Sequence, residues 1–217
     1  MNFRNAFNEV FRVEVPIAIV VFVVVCALVV FAMVRYRARP GREASKKSEH
    51  PIGEPTYVLC MILIAAGLAS FVFTVNNQER NSPAGKPVMT VRITAFQWCW
   101  RFSYKGTPVT ITGTCQTKAQ APTLVIPTGK VVRYDLTSAD VVHEWWVPHF
   151  RWKMEAFPDH VNQWKMIVTK SGDWVGRCTS FCGLFHYRMD FRVRAVSPAL
   201  FTAFMRAHGA SASSATA

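Results

Sequence analysis

Acid is what this sequence is short of. Its 217 residues hold 13 Asp and Glu against 25 Lys and Arg, a formal net charge of +12. Such a surplus suits nucleic acid, acidic lipid or an acidic protein as a partner. No helix-turn-helix, zinc-finger or RNA-recognition pattern accompanies it, so no nucleic-acid partner is expected. Charge of either sign is missing altogether from residues 15–34 and 57–75. The first run also lacks a small-residue cleavage site: Arg35-Tyr36-Arg37-Ala38-Arg39 follows it, and Val25 precedes Cys26 where a lipoprotein signal wants a small residue. A retained helix is expected there, not a signal peptide. A disulfide framework is lacking too, because two of the six cysteines, Cys26 and Cys60, sit inside the apolar runs.

The two runs set the organisation. Roughly 20 apolar residues at ~1.5 Å each cross a bilayer core of ~30 Å. Residues 15–34 and 57–75 therefore read as two transmembrane helices. Ahead of them, Phe3, Phe7 and Phe11 recur every fourth residue, which predicts an amphipathic segment over 1–14. The loop 35–56 holds Arg35, Arg37, Arg39, Arg42, Lys46 and Lys47 against three acids. The positive-inside rule assigns this loop to the cytoplasm, and so the N-terminus and everything after residue 75 to the outer, periplasmic side. Ala65, Ala66, Gly67, Ala69 and Ser70 are small residues of the kind that let membrane helices approach closely.

A polar linker, 76–88, leads to runs of strand character at 89–104, 109–112, 123–126, 131–136, 144–147, 161–168 and 189–196. Turn residues separate them, Ser171-Gly172-Asp173 among these. The fold class expected is a membrane-anchored all-β protein, a two-helix hairpin followed by a β-sandwich or small barrel over 89–198. A short helix from 199 and a disordered Ala/Ser tail complete 199–217.

The richest chemistry lies in Cys178-Thr179-Ser180-Phe181-Cys182-Gly183-Leu184-Phe185-His186-Tyr187-Arg188-Met189. Thiolate, imidazole and thioether are donors that copper selects. The competing readings are a structural disulfide between Cys178 and Cys182, and a zinc site, which rarely recruits methionine. His143, in Asp140-Val141-Val142-His143, is the natural further ligand. Cys99 and Cys115 flank a hairpin and are compatible with a disulfide or with two buried thiols. In Gln97-Trp98-Cys99-Trp100-Arg101-Phe102-Ser103-Tyr104, strand alternation puts Trp98, Trp100, Phe102 and Tyr104 on one face.

These stretches, with the C-x3-C-x3-H-x2-M loop and two preceding spans, resemble subunit II of the haem–copper terminal oxidases, the cytochrome c oxidase subunit 2 family. The resemblance runs along the chain apart from the tail. It implies a cupredoxin-like domain holding a binuclear copper centre, CuA. Cys178 and Cys182 would bridge two copper ions, and His143 and His186 would each cap one. Met189 and the backbone carbonyl of Ser180 would be weak ligands. Trp98 would receive electrons from an external donor, a c-type cytochrome or a cupredoxin. Glu54, otherwise a helix-start acid, would stand at the mouth of a proton pathway.

The implied function is to pass electrons to a haem-bearing subunit 1, accompanied by subunit 3, for reduction of oxygen to water in the bacterial inner membrane. The alternatives are the same role in a nitric oxide reductase of that superfamily, and a membrane-tethered copper carrier. The sequence departs from the family at three positions and in its charge. Ser180 stands where a glutamate usually binds magnesium, which implies an altered or absent magnesium site. Tyr57 and Cys99 replace the usual aromatics, a tryptophan in the first case. The family's acidic docking face shrinks here to Asp140, Glu144, Glu155 and Asp159, which implies a donor that is neutral or acidic.

Overall fold

The computed structural model describes residues 3–38, 40, 41, 49–81 and 85–209. Arg39, Arg42, Lys46 and Lys47 of the basic loop, and the tail from 210, lie outside the described residues. The chain divides into a helical unit over residues 5–80 and a β unit from 81 onward.

In the helical unit, α1 runs from Phe3 to Arg35 and α2 from Gly53 to Asn81. The segment 1–14 and the span 15–34 are thus not separate elements. From Phe3 onward they form one helix, which continues through Pro16. The linker expected at 76–88 begins inside α2. Both helices contain a stretch long and apolar enough to cross a membrane, Arg4–Arg35 and Gly53–Asn77. Their side chains are largely exposed on the chain itself, as with Val20, Phe22, Phe31 and Leu63. Hydrocarbon offers backbone N–H and C=O groups no partner, so a helix, which satisfies them internally, is the form such a run takes. Ile17, Ala18, Val21, Phe22 and Val25 of α1 line an open apolar groove with Ile64 and Leu68 of α2. The small residue Gly67 does not mark a close helix approach, since nothing lies within 4 Å of a Cβ built there.

The β unit is a sandwich of two five-stranded sheets. The first has the order β3-β2-β1-β5-β8, from Met89–Phe96 (β1), Cys99–Tyr104 (β2), Thr110–Thr112 (β3), Val131–Ser138 (β5) and Asn162–Ile167 (β8). The second has the order β4-β10-β9-β6-β7, from Thr123–Pro127 (β4), Asp190–Val196 (β10), Gly172–Cys178 (β9), His143–Val147 (β6) and Trp152–Ala156 (β7). Pairing is antiparallel except between β1 and β5 and between β4 and β10.

The run expected at 89–104 is a hairpin, with Phe96 opposite Cys99 and Gln97-Trp98 in its turn. Trp98 therefore leaves the face that Trp100, Phe102 and Tyr104 share in the core. Two strands fall outside the runs expected from the sequence. β7 exposes Lys153 and Glu155 between its inward residues. β9 starts at Gly172-Asp173, which read as a turn, and contains a second glycine, Gly176. Gly176 pairs with Phe191 of β10, and a Cβ there would meet the Phe191 ring at 2.1 Å. Phe191 needs that space. Fully buried, it packs 5.0 Å from Trp100 and 5.5 Å from Trp145 by ring centroid, joining the two sheets. Helix α3, Pro198–Ala207, is capped by the Ser197 hydroxyl and buries Phe201 and Met205.

Cys99 and Cys115 form a disulfide, which resolves the two readings the sequence permits. It ties β2 to the segment beyond β3 across 16 residues. A loop of that size contributes about 3 kcal/mol by restricting the unfolded chain. Replacing both cysteines by alanine is expected to remove about that much stability, read as a lower unfolding temperature that reductant lowers no further. Gly176→Ala is expected to cost about 1–3 kcal/mol by overpacking against Phe191, measured in the same way.

Candidate metal centre

Three neighbouring strands of one sheet bring the candidate ligands to one end of the sandwich. β6 starts at His143, its antiparallel neighbour β9 ends at Cys178, and β10 begins one residue after Met189. The amide of Cys178 donates to the Met189 carbonyl at 3.2 Å, closing the loop at its base. Between them the chain turns at Gly183, whose φ of 114° favours glycine, and runs through a short 3-10 turn at His186–Arg188.

The donor atoms converge. The two sulfurs, Cys178 Sγ and Cys182 Sγ, are 3.9 Å apart. A disulfide holds its sulfurs ~2.05 Å apart, so these are two thiols. Cys178 Sγ lies 3.8 Å from His143 Nδ1 and 3.3 Å from the Ser180 carbonyl. Cys182 Sγ lies 3.5 Å from His186 Nδ1 and 3.8 Å from Met189 Sδ. Each thiol thus has one imidazole nitrogen and one weaker donor beside it. The ligand atoms of His143, Cys178 and Cys182 lie within 4.8 Å of one another, and all three residues are buried.

Burial shapes the electrostatics. Desolvation raises the Cys178 thiol, and it pushes Cys182 up to about 12, helped by the neighbouring Cys178. Desolvation also lowers the His143 imidazole, outweighing the pull of Asp140 toward the charged form. The His143 ring is oriented from behind. Its Nε2–H donates to Asp140 Oδ1 at 2.8 Å, which leaves the Nδ1 lone pair facing Cys178. Burial works against the Asp140 carboxylate, yet His143 and the amides of Gln97 and Val141 hold it below the usual range.

Asp140 was legible in the sequence only as part of an acidic face. Its position three residues before a ligand histidine is the signal that could have marked it as the orienting group. Glu144 is not on an exposed face at all: it is 6% exposed and meets Thr179 and Lys153. Trp98, in the β1–β2 turn, donates its indole N–H to the Cys182 carbonyl at 3.1 Å, and Gln97 Nε2 donates to the same oxygen at 2.7 Å. The Trp98 ring meets the edge of Phe185 at 4.9 Å between centroids. Glu54 belongs to the helical unit, where its carboxylate accepts the His50 amide at 2.9 Å, while His50 Nδ1 accepts the first amide of α2, that of Gly53, at 3.0 Å.

The set offers soft donors, each buried or half-buried, on a β-scaffold. Two thiols, two imidazoles, a thioether and a carbonyl suit copper better than zinc or a hard cation. A scaffold that fixes so many donors favours electron exchange over binding and turning over a substrate.

Comparison with known proteins agrees. Residues 109–196 match the family described as cytochrome C oxidase subunit II, periplasmic domain. A probable cytochrome c oxidase subunit 2 of Streptomyces avermitilis is 30% identical over 217 aligned positions, covering 81% of this chain and 66% of the relative. A probable subunit 2 from Nocardia farcinica is 30% identical over 213, covering 70% of this chain and 56% of the relative. This chain therefore spans about half to two thirds of the curated relatives it matches. The crystal structure of the periplasmic domain of subunit II of cytochrome oxidase from Bradyrhizobium japonicum superposes with a TM-score of 0.52 at 26% identity, covering 58% of this chain and 96% of that one. The family match over the β unit and the likeness to relatives along most of the chain make the assignment: the chain belongs to the cytochrome c oxidase subunit II family.

Proposed function

We propose that this chain is the electron-receiving subunit of a respiratory haem–copper oxidase. One observation carries the reading: two unbonded thiols 3.9 Å apart, each beside a histidine nitrogen and a weaker donor. Cys178, Cys182, His143, His186, Met189 and the Ser180 carbonyl would hold two copper ions. Copper bound by these residues would supply one-electron exchange. The chain's own contribution is to hold the donors still and to keep water away from them. Trp98 is the point at which electrons arrive, because its hydrogen bond to the Cys182 carbonyl joins an indole ring directly to a bridging ligand.

The two helices anchor the chain in the bacterial inner membrane, with the β unit on the outer side. They dock against the haem-bearing subunit 1, with subunit 3 beside it, where oxygen is reduced to water. Glu54 stands at the cytoplasmic mouth of a proton pathway. Ser180 supplies no carboxylate, so the magnesium site of the family is altered or absent. The basic surplus and the burial of Glu144 favour a neutral or acidic donor, a c-type cytochrome or a cupredoxin.

Copper loaded into the full chain is expected to give an electron paramagnetic resonance spectrum whose hyperfine splitting is shared by two equivalent copper nuclei. A single-copper spectrum, or silence after oxidation, would overturn the reading. Loading also has a proton signature. Both thiols are raised by burial and so protonated at neutral pH, whereas copper binds thiolates. Filling the site at pH 7 is therefore expected to release about two protons, and affinity to rise by up to ~100-fold per pH unit below the thiol pKa values. An indicator titration in weak buffer measures this. Reduction by a strongly basic cytochrome c is expected to be slow and to lose nothing on adding salt; fast reduction that salt suppresses would refute the charge argument.

A further inference from the structure

β6 carries two side chains in succession on opposite faces. His143 points to the thiols. The Glu144 carboxylate is buried at 6% exposure, accepts the Thr179 hydroxyl through Oε2, and meets Lys153 Nζ at 3.0 Å through Oε1. The backbone repeats the link, since the Thr179 amide donates to the Glu144 carbonyl at 3.2 Å. Thr179 follows Cys178, and Glu144 follows His143. Both bonds therefore tie the residue after one ligand to the residue after another, at the point where β9 opens into the Cys loop. Lys153, on β7, is 61% exposed along its side chain, and the cross-strand neighbour of Glu144 is Glu155, also exposed. A carboxylate so placed lies just behind the ligand pair, with one partly solvated ammonium beside it.

We propose that Glu144 is a positioning residue that locks the Cys178–Cys182 loop to His143 through Thr179 and, with Lys153, sets the charge balance felt by the metal pair. This rests on reading the site as a copper pair. The lock and the charge make separable contributions. Thr179→Val deletes the hydroxyl bond without changing charge or bulk, and Thr179 is exposed, so the fold tolerates it. Glu144→Gln keeps an acceptor for Thr179 and removes the negative charge. Lys153→Met removes the positive charge and leaves the two acids. Reducing the centre adds one negative charge to it, so a nearby anion disfavours reduction and a nearby cation favours it.

The experiment uses the full copper-loaded chain, wild type and three variants. It reads the hyperfine pattern, the midpoint potential against redox mediators, and copper loss to a chelator. Glu144→Gln is expected to raise the potential, by about tenfold in the one-electron equilibrium, ~59 mV. Lys153→Met is expected to lower it by less, because solvent screens the exposed ammonium. Thr179→Val is expected to leave the potential closest to wild type and to weaken copper retention about 10-fold, the scale of a lost bond just outside the ligand set. Equal potentials in the two charge variants, or shifts of the same sign, would overturn the charge role. Unchanged retention in Thr179→Val would overturn the lock. A wild-type chain without a two-copper spectrum would overturn the reading of the site, and this inference with it. A purely structural Glu144 would lower the unfolding temperature and leave the potential alone.

Discussion

The structure depends on keeping two buried thiols close together without letting them bond. Cys178 and Cys182 are 6% and 3% exposed, and their sulfurs stand 3.9 Å apart. Nothing in their own four-residue spacing enforces that. What does is the framework around them. β9 fixes Cys178 through its pairing with β6 and β10. The Cys182 carbonyl is held by Gln97 and Trp98 from the opposite sheet. One sulfur is thus positioned by each layer of the sandwich, and the gap between them is set by how the layers pack. Phe191 and Trp145, which fill the space between the layers, act on the metal site although neither approaches it as a donor.

The same division explains why so much aromatic bulk surrounds so small a site. Trp100 donates its indole N–H to the Met189 carbonyl at 3.3 Å and packs against Phe191. Its ring is apolar filling and its nitrogen a fixed donor, a combination that lets a buried tryptophan hold a loop in place. The Cys99–Cys115 bridge secures the hairpin that presents both Trp98 and Trp100. Outside the membrane a disulfide is sustainable. The two pairs of cysteines are therefore used in opposite senses, one crosslinked for stability and one kept apart as donors.

The donors were legible in the sequence, and the framework mostly was not. Cys178, Cys182, His186 and Met189 stand in one short segment, and a chemist can group them by softness alone. His143 stood out as a further ligand, but no spacing rule links it to a loop so far along the chain, and its place as a cap came from the resemblance. The strands most directly responsible for the geometry were the least visible. β9 opens on Gly172-Asp173, which read as a turn, and its second glycine, Gly176, is selected by the ring of Phe191 lying over it, a constraint that exists only in the folded sheet. β7 alternates apolar and charged residues as a half-buried strand should, but over only five residues, from Trp152 to Ala156. Trp98 looked like a member of a regular face, and a turn at Gln97-Trp98 moved it out of the core and onto the loop. The helical unit behaved differently. Length and absence of charge suffice to specify a spanning helix, since lipid leaves the backbone no alternative. Only its ends were misjudged, because the helix runs on into polar sequence where charge no longer signals a boundary.

Charge is the last constraint, and it works at two scales. Over the whole chain the basic surplus is a long-range field, screened within ~8 Å at physiological salt. It acts on approach and not on the centre. The acids that matter to the centre are few and withdrawn from that field. Asp140 is spent on His143 and on two backbone amides, and Glu144 on Thr179 and Lys153. An acid counted along the sequence as docking surface is thus, in the folded chain, buried against the start of the Cys loop. That follows from geometry: strand alternation turned His143 toward the thiols, and the residue after it had to point the other way, where a carboxylate could persist only with partners of its own.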